Sequence, residues 1–214
     1  MRPFLPALGL LLCTACAGLP VITPSAGGDG NAAEGPSPFV TGSRRLIHSI
    51  TGNMPGGATA AMIGVIAFEE KSGRIRFSLM SIEGLVFLDA EHDGGLVIHR
   101  AIGPLSSTDF VKGMIGDIRL ILFAPPGAPV ESGTLRDGSR VARYRTGEGV
   151  TDIIRMENGE IEVAVYGATL KRERTVRYSA GRRMGMPERV DFIAAGPPAY
   201  SLVLELIEAE DARD

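Results

Sequence analysis

The sequence has no tryptophan, only two cysteines and only three histidines among its 214 residues. Both cysteines, Cys13 and Cys16, lie ahead of the folded body, which therefore has neither a disulfide nor a thiol site. His48, His92 and His99 show no metal-ligand spacing, and with no cysteine beside them no metal site and no cofactor is expected. No G-x-S-x-G run is present, and the glycines between Gly52 and Gly57 lack the strand-turn-helix context and the lysine of a phosphate loop. The chain offers no constellation for catalysis, so it is not expected to be an enzyme. A strong charge of one sign is missing too: 22 basic against 25 acidic side chains leave a net −3, no footprint for a nucleic-acid backbone. The one stretch approaching membrane character lies at the very N-terminus and is too short and too broken by proline to span a bilayer. What remains, 44% apolar and 22% charged, is the composition of an ordinary globular body of one or at most two domains.

Met1 to Cys16 reads MRPFLPALGLLLCTAC: one arginine, an apolar stretch from Phe4 to Leu12, then small residues. This is an export signal over residues 1–15. It is similar to the signals of bacterial lipoproteins, in which two small residues precede the cysteine that becomes lipidated. Here Thr14 and Ala15 precede Cys16, while Cys13 stands where leucine or valine is usual. Cys16 is the expected lipid attachment point. Ordinary cleavage after Ala17 is the rival, since Ala15 and Ala17 form an A-x-A site, and it would discard both cysteines. Residues 16–43, rich in Gly, Pro, Ala and Ser from Gly18 onward and without periodicity, read as a flexible tether. Several acyl chains at about 0.8 kcal/mol per buried methylene make such an anchor effectively permanent. Ala17 after the candidate cysteine resembles the proteobacterial pattern sent on to the outer membrane. The implied location is therefore that membrane, lipid-anchored and facing the periplasm.

From residue 44 to 214 the chain becomes one domain of short apolar or alternating runs separated by turn signals. Asp93-Gly94, Asp137-Gly138 and Asn158-Gly159 sit between such runs, and these dipeptides are strong hairpin signals. The expected fold is mainly β, with about eleven antiparallel strands. Ile75, Phe77 and Leu79 alternate with Arg74, Arg76 and Ser78, and Ile161, Val163 and Val165 alternate with Glu160, Glu162 and Ala164. One face of the sheet is predicted apolar and the other wet. The period changes between Ile102 and Pro125, where Ser107 or Thr108 caps a first helical turn carrying Phe110, Val111, Met114 and Ile115. Gly116 is expected to break that helix and Asp117 to cap a second one, Ile118 to Phe123, stopped by Pro125 and Pro126. The second piece is apolar nearly all round and must be buried. Either a two-sheet sandwich or one strongly curved sheet meets the strand pattern. A helical insert favours the curved sheet, with the insert plugging its concave face.

These elements resemble the LolB-like outer-membrane lipoproteins, whose half-barrel is shared with the periplasmic carrier LolA, and equally an uncharacterised lipoprotein family of the same fold. The stretches that carry the resemblance are RIRFSLMSIEGLVFLDAEHDGGLVIHR (Arg74 to Arg100), MIGDIRLILFAPPG (Met114 to Gly127), MENGEIEVAVYG (Met156 to Gly167) and GMPERVDFIAAGPPAYSLVLEL (Gly185 to Leu206). No single motif among them is specific; it is the order of elements that matches. The resemblance implies a hydrophobic cavity that takes acyl chains of lipid or lipoprotein, lined by Met62, Ile75, Phe77, Leu79, Ile98, Met114, Ile118, Leu122, Phe192 and Leu202. Moving a chain of about sixteen carbons through water costs on the order of 12 kcal/mol, so an apolar trough of comparable area is needed. Methionines suit such a trough because their thioethers repack around variable chains; Met62, Met80, Met114 and Met156 lie in or beside apolar runs.

In LolB the turn after the third strand carries a protruding apolar residue that hands lipoprotein to the membrane. The matching turn here contains Ile82, Glu83 and Leu85, with a carboxylate where the apolar tip aligns unless the register slips by one onto Ile82. The basic run Lys171, Arg172, Arg174 and Arg177, with Arg182 and Arg183, reads as the wet face of a strand near a sheet edge, or as a docking face for anionic headgroups. The function implied is non-catalytic acyl-chain binding in envelope lipid or lipoprotein transport, by a monomer that takes no nucleic acid. The alternative is an accessory lipoprotein that fills its own cavity and acts through protein partners. An esterase-like enzyme has only the permissiveness of the fold behind it.

Overall fold

In the computed structural model, residues 18–24, 37–54, 57–147 and 149–212 are described. The export signal, Cys13 and Cys16 lie outside them. The strands in chain order are β1 (Thr23–Pro24), β2 (Arg44–Asn53), β3 (Thr59–Glu69), β4 (Arg74–Met80), β5 (Val86–His92) and β6 (Leu96–Ala101). A short 3-10 turn, Gly103–Ser106, leads into helix α1 (Thr108–Leu122). There follow β7 (Glu131–Thr134), β8 (Arg140–Thr146), β9 (Gly149–Arg155), β10 (Ile161–Tyr166), β11 (Arg172–Tyr178), β12 (Arg182–Arg183), β13 (Met186–Pro187), β14 (Arg189–Ala194) and β15 (Tyr200–Asp211). All eleven strands expected from the sequence form; the four added here are three two-residue pieces and the short β7.

Thirteen strands make one antiparallel sheet in the order β1-β7-β8-β9-β10-β11-β14-β15-β2-β3-β4-β5-β6, while β12 and β13 form a separate ribbon. The first long strand pairs with the last, β2 with β15, and among the described residues the sheet ends at β1 and β6 instead of closing. The hairpins turn where the sequence places them: Asp137 Oδ1 accepts from the Ser139 N–H and Asn158 Oδ1 from the Glu160 N–H, both at 3.0 Å.

Curvature follows from the side chains. Leu46 and Ile50 of β2, Ile66 of β3, Phe77 of β4, Leu88 of β5, Val163 of β10, Val176 of β11, Phe192 of β14 and Leu204 of β15 belong to one core cluster together with the apolar side of α1. Strands this many positions apart share a core with a single helix only if the sheet wraps around it. Register shifts at Leu79/Met80, Asp89/Ala90, Val165/Tyr166 and Leu206/Glu208 add local bends. The result is the expected mainly β half-barrel, an open curved sheet with the helix across its concave face.

Four sequence expectations change. The helix is continuous from Thr108 to Leu122: Ser107 caps it, its Oγ accepting from the Phe110 N–H, and Gly116 does not break it. Asp117 is consequently no cap but a buried mid-helix residue. Gly113 and Gly116 each cost the helix only about 1 kcal/mol, which the apolar residues burying it outweigh. The second face is not wet throughout: over β8 to β10, Val141, Arg143, Asp152, Ile154, Glu162 and Ala164 are buried. Strand β11 is also no edge, since β10 and β14 flank it. Its charges fall on both faces because both faces offer carboxylates, Glu162 to Arg172 and Arg177, and Asp117 to Arg174. Finally, parts of the stretch read as tether pack on the body. Ile22 is buried with Val141 and Ile154 on the convex face, and Phe39 and Val40 join the main core.

Candidate functional site

The two halves of α1 are held differently. A helix leaves its last four carbonyls without intrahelical partners, and here all four are met. The Phe123 N–H bonds Arg119 O, the Tyr178 hydroxyl bonds Ile121 O at 2.8 Å and approaches Leu120 O at 3.4 Å, and the Val40 N–H bonds Leu122 O at 2.8 Å. Phe123 packs on Phe68 with ring centroids 4.3 Å apart. The Tyr178 phenol is pushed above its ordinary pKa by burial, so it remains a donor.

The N-terminal half of α1 instead roofs a cavity of about 250 Å³. Its floor is Ile50 of β2, Met62, Gly64 and Ile66 of β3, Phe77 and Leu79 of β4, and Leu202 and Leu204 of β15; its roof is Phe110, Gly113 and Met114, with Ile118 and Ile121 of the C-terminal half closing one end and Leu105 and Met54 alongside. The period-two pattern of the strands puts these side chains on the concave face, and the 3.6-residue period of the helix brings Phe110, Gly113, Met114 and Ile118 over them. Gly64 deepens the floor, since a Cβ there would meet Ile50 Cδ1 at 2.6 Å. On the roof, a Cβ at Gly113 would meet nothing within 4 Å.

One wall carries charge. The Arg174 Nε–H donates to Asp117 Oδ1 at 2.7 Å, and the Tyr200 hydroxyl donates to Asp117 Oδ2. Burial works against the Arg174 guanidinium, yet its hydrogen bond to Asp117 and that carboxylate's charge hold it above its ordinary value. Burial first, and then the bond to Asp117, raises the Tyr200 phenol. Asp109, exposed in the first turn of the helix, also borders the cavity. Among the described residues no group of three or more His, Cys, Asp or Glu side chains is placed to hold a metal ion.

Of the residues expected to line a cavity, Met62, Phe77, Leu79, Met114, Ile118 and Leu202 come together around this one. The other four lie elsewhere in the core. Ile75 faces His92 and Phe68, Leu122 sits at the anchored end of α1, and Phe192 stacks behind Tyr200 with centroids 5.6 Å apart. Ile98 packs against the core from edge strand β6. Sequence reasoning missed Ile50, Met54, Phe110, Tyr200 and the pair Asp117 and Arg174. Alternation along β2 marks Ile50 as inward; nothing local marks the ion pair, whose partners are 57 residues apart.

The turn from Ser81 to Leu85 is closed by the Ser81 N–H to Leu85 O bond at 2.9 Å and leaves Ile82 71% and Leu85 52% exposed. Hydrogen bonds from the Ser81 side chain and from Glu83's own backbone hold the Glu83 carboxyl below its usual range. Met80 and Val86, which flank this turn, stand at the same end of the sheet as Met62, the register partner of Ile50.

No protein-family model and no curated protein matches the chain. Solved structures do. The chain is similar to a LolA superfamily protein from Nitrosomonas europaea, with 11% identity and a TM-score of 0.46 over 82% of this chain and 88% of that one. It is also similar to a putative outer membrane lipoprotein-sorting protein domain from Vibrio parahaemolyticus, with 7% identity and a TM-score of 0.41 over 79% and 85% of the two chains. At such identities and scores the functional reading rests on the chain's own geometry. No helix among the described residues is long and apolar enough to cross a membrane.

Proposed function

We propose that the protein is a non-catalytic binder of acyl chains, working at the cell envelope in lipid or lipoprotein transport or localisation. The observation that carries this reading is the cavity under the N-terminal half of α1, walled by aliphatic side chains, two phenylalanines and three methionines. Burial of each methylene contributes about 0.8 kcal/mol, and thioethers repack at little cost around chains of different length. A helix fixed at its C-terminal end and resting on side chains at its other end gives such a cavity a roof that yields. The exposed Ile82 and Leu85, on either side of Glu83, supply the apolar tip of a membrane-transfer turn. Cys16, outside the described residues, is the proposed lipid anchor to the outer membrane.

The experiment uses the full chain carrying Cys16→Ser, titrated with a fluorescent fatty acid, beside the same chain with Gly113→Phe. The position is open and helical, so the added ring fills the cavity from above, and replacing glycine raises helix propensity. Fatty-acid binding is expected in the parent and a loss of at least about tenfold in the variant, with an unchanged or higher melting temperature. Equal binding by both proteins would remove the cavity as the site.

A further inference from the structure

Arg174 is, among the described residues, the one cation bordering the cavity. Among the described residues its only hydrogen bond runs from Nε to Asp117, and its side chain is 35% exposed, so its two terminal nitrogens remain available as donors. Asp117 and Tyr200 fix the guanidinium from behind: the carboxylate takes Nε on one oxygen and the phenol on the other. The pair Asp117 and Arg174 is neutral as a unit. The other carboxylate, Asp109, is eight residues up the helix, about 12 Å along its axis, and so does not occupy the free edge of Arg174. Ligand cavities that are apolar with a few placed polar groups use those groups to fix orientation.

We propose that the terminal nitrogens of Arg174 bind the oxygen at the first carbon of the acyl chain, so that the cavity takes the chain in one direction with its carbonyl end at β11. This rests on the acyl-binding reading above and adds the ligand's polar end to it. The shared chemistry is an oxygen acceptor on an acyl carbon, from either the carboxylate of a free fatty acid or the ester carbonyl of a lipid. Hydrogen bonds from guanidinium to such an oxygen are charge-assisted, stronger than neutral ones and directional.

The test is calorimetric titration of the Cys16→Ser full chain, with and without Arg174→Gln, using dodecanoate, methyl dodecanoate and dodecyltrimethylammonium. The last has the chain and no acceptor. In the parent, the two acyl compounds bind more tightly than the ammonium compound. In Arg174→Gln, acyl affinity falls about tenfold while that for the ammonium compound does not fall. A loss confined to dodecanoate assigns the site to free acids; a loss shared by the ester assigns it to lipid acyl carbonyls. Arg174→Lys keeps the charge beside Asp117 and so guards against a folding defect; it gives an intermediate loss because it lacks the second terminal nitrogen. Equal affinities of parent and both variants for all three compounds would overturn the head-group inference and leave the cavity reading intact. No binding of any compound by a folded parent would overturn both.

Discussion

On each face of the sheet an arginine meets a buried aspartate, Asp152 on one and Asp117 on the other, and these two pairs are built differently. On the convex face Arg143 grips Asp152 through Nε and Nη2 at 2.7 and 2.8 Å, reaches Glu131 at 3.1 Å and gives Nη2 also to Pro20 O at 2.9 Å. Asp152 is fully buried, and the segment from Gly18 to Pro24 lies over the pair. On the concave face Arg174 makes a single bond to Asp117 and stands beside an apolar cavity. In the first pair four of the arginine's five N–H donors are taken by the protein among the described residues, and the pair holds structure. The second is held in place by one bond and a phenol, with donors left over next to a space of ligand type. The same two residue types thus serve fold or binding according to how many of their partners the chain supplies.

The largest expected effect follows from the filled pair. Asp152→Ala leaves Arg143 buried with only Glu131 and a carbonyl, and such losses cost about 3–5 kcal/mol; urea unfolding reads it directly, and a cost below about 1 kcal/mol would erase the contrast between the faces.

Next comes acidity on the concave side, where His48 of β2 is buried with Nδ1 unpartnered among the described residues, and burial lowers its pKa from 6.5 to about 4. The unfolded chain takes up this proton first. Stability is therefore full above pH 6.5 and declines as the pH falls toward 4, by about 3 kcal/mol in all. Chemical denaturation across that range, compared with His48→Leu, isolates the effect, and identical slopes for the two proteins would refute it.

The smallest effect belongs to the open pair. Asp117→Asn keeps an acceptor for Tyr200 and leaves Arg174 able to hydrate, so about 1 kcal/mol is expected in the same urea assay. A loss as large as that of Asp152→Ala would make the two pairs equivalent.

Much of the fold was legible locally. Alternation along β4 and β10 and the Asp-Gly and Asn-Gly turns place the strands, because pleat and turn geometry act over a few residues. The Ser107 cap and Pro125 mark the helix ends for the same reason. Gly116 misled because helix continuity was decided by burial of Ile115, Ile118 and Ile121 against the sheet, which outweighs one glycine. Glu162 looked like a solvated residue because its partners Arg172 and Arg177 sit on the next strand. The cavity was half legible: Met62, Phe77, Leu79 and Met114 follow from period and position, whereas the separation of Ile75, Leu122 and Phe192 from it depends on where the helix comes to rest.

By itself, the sequence determined the eleven main strands, the one stretch among them that turns helical and the apolar face of β4 and β10, since propensity, period and turn chemistry are properties of neighbouring residues. Only the tertiary structure decided that α1 is fixed at one end and roofs a cavity at the other, and that Arg174 meets Asp117 across 57 positions of chain. Those outcomes depend on sheet curvature and on contacts between distant elements, which no local pattern encodes.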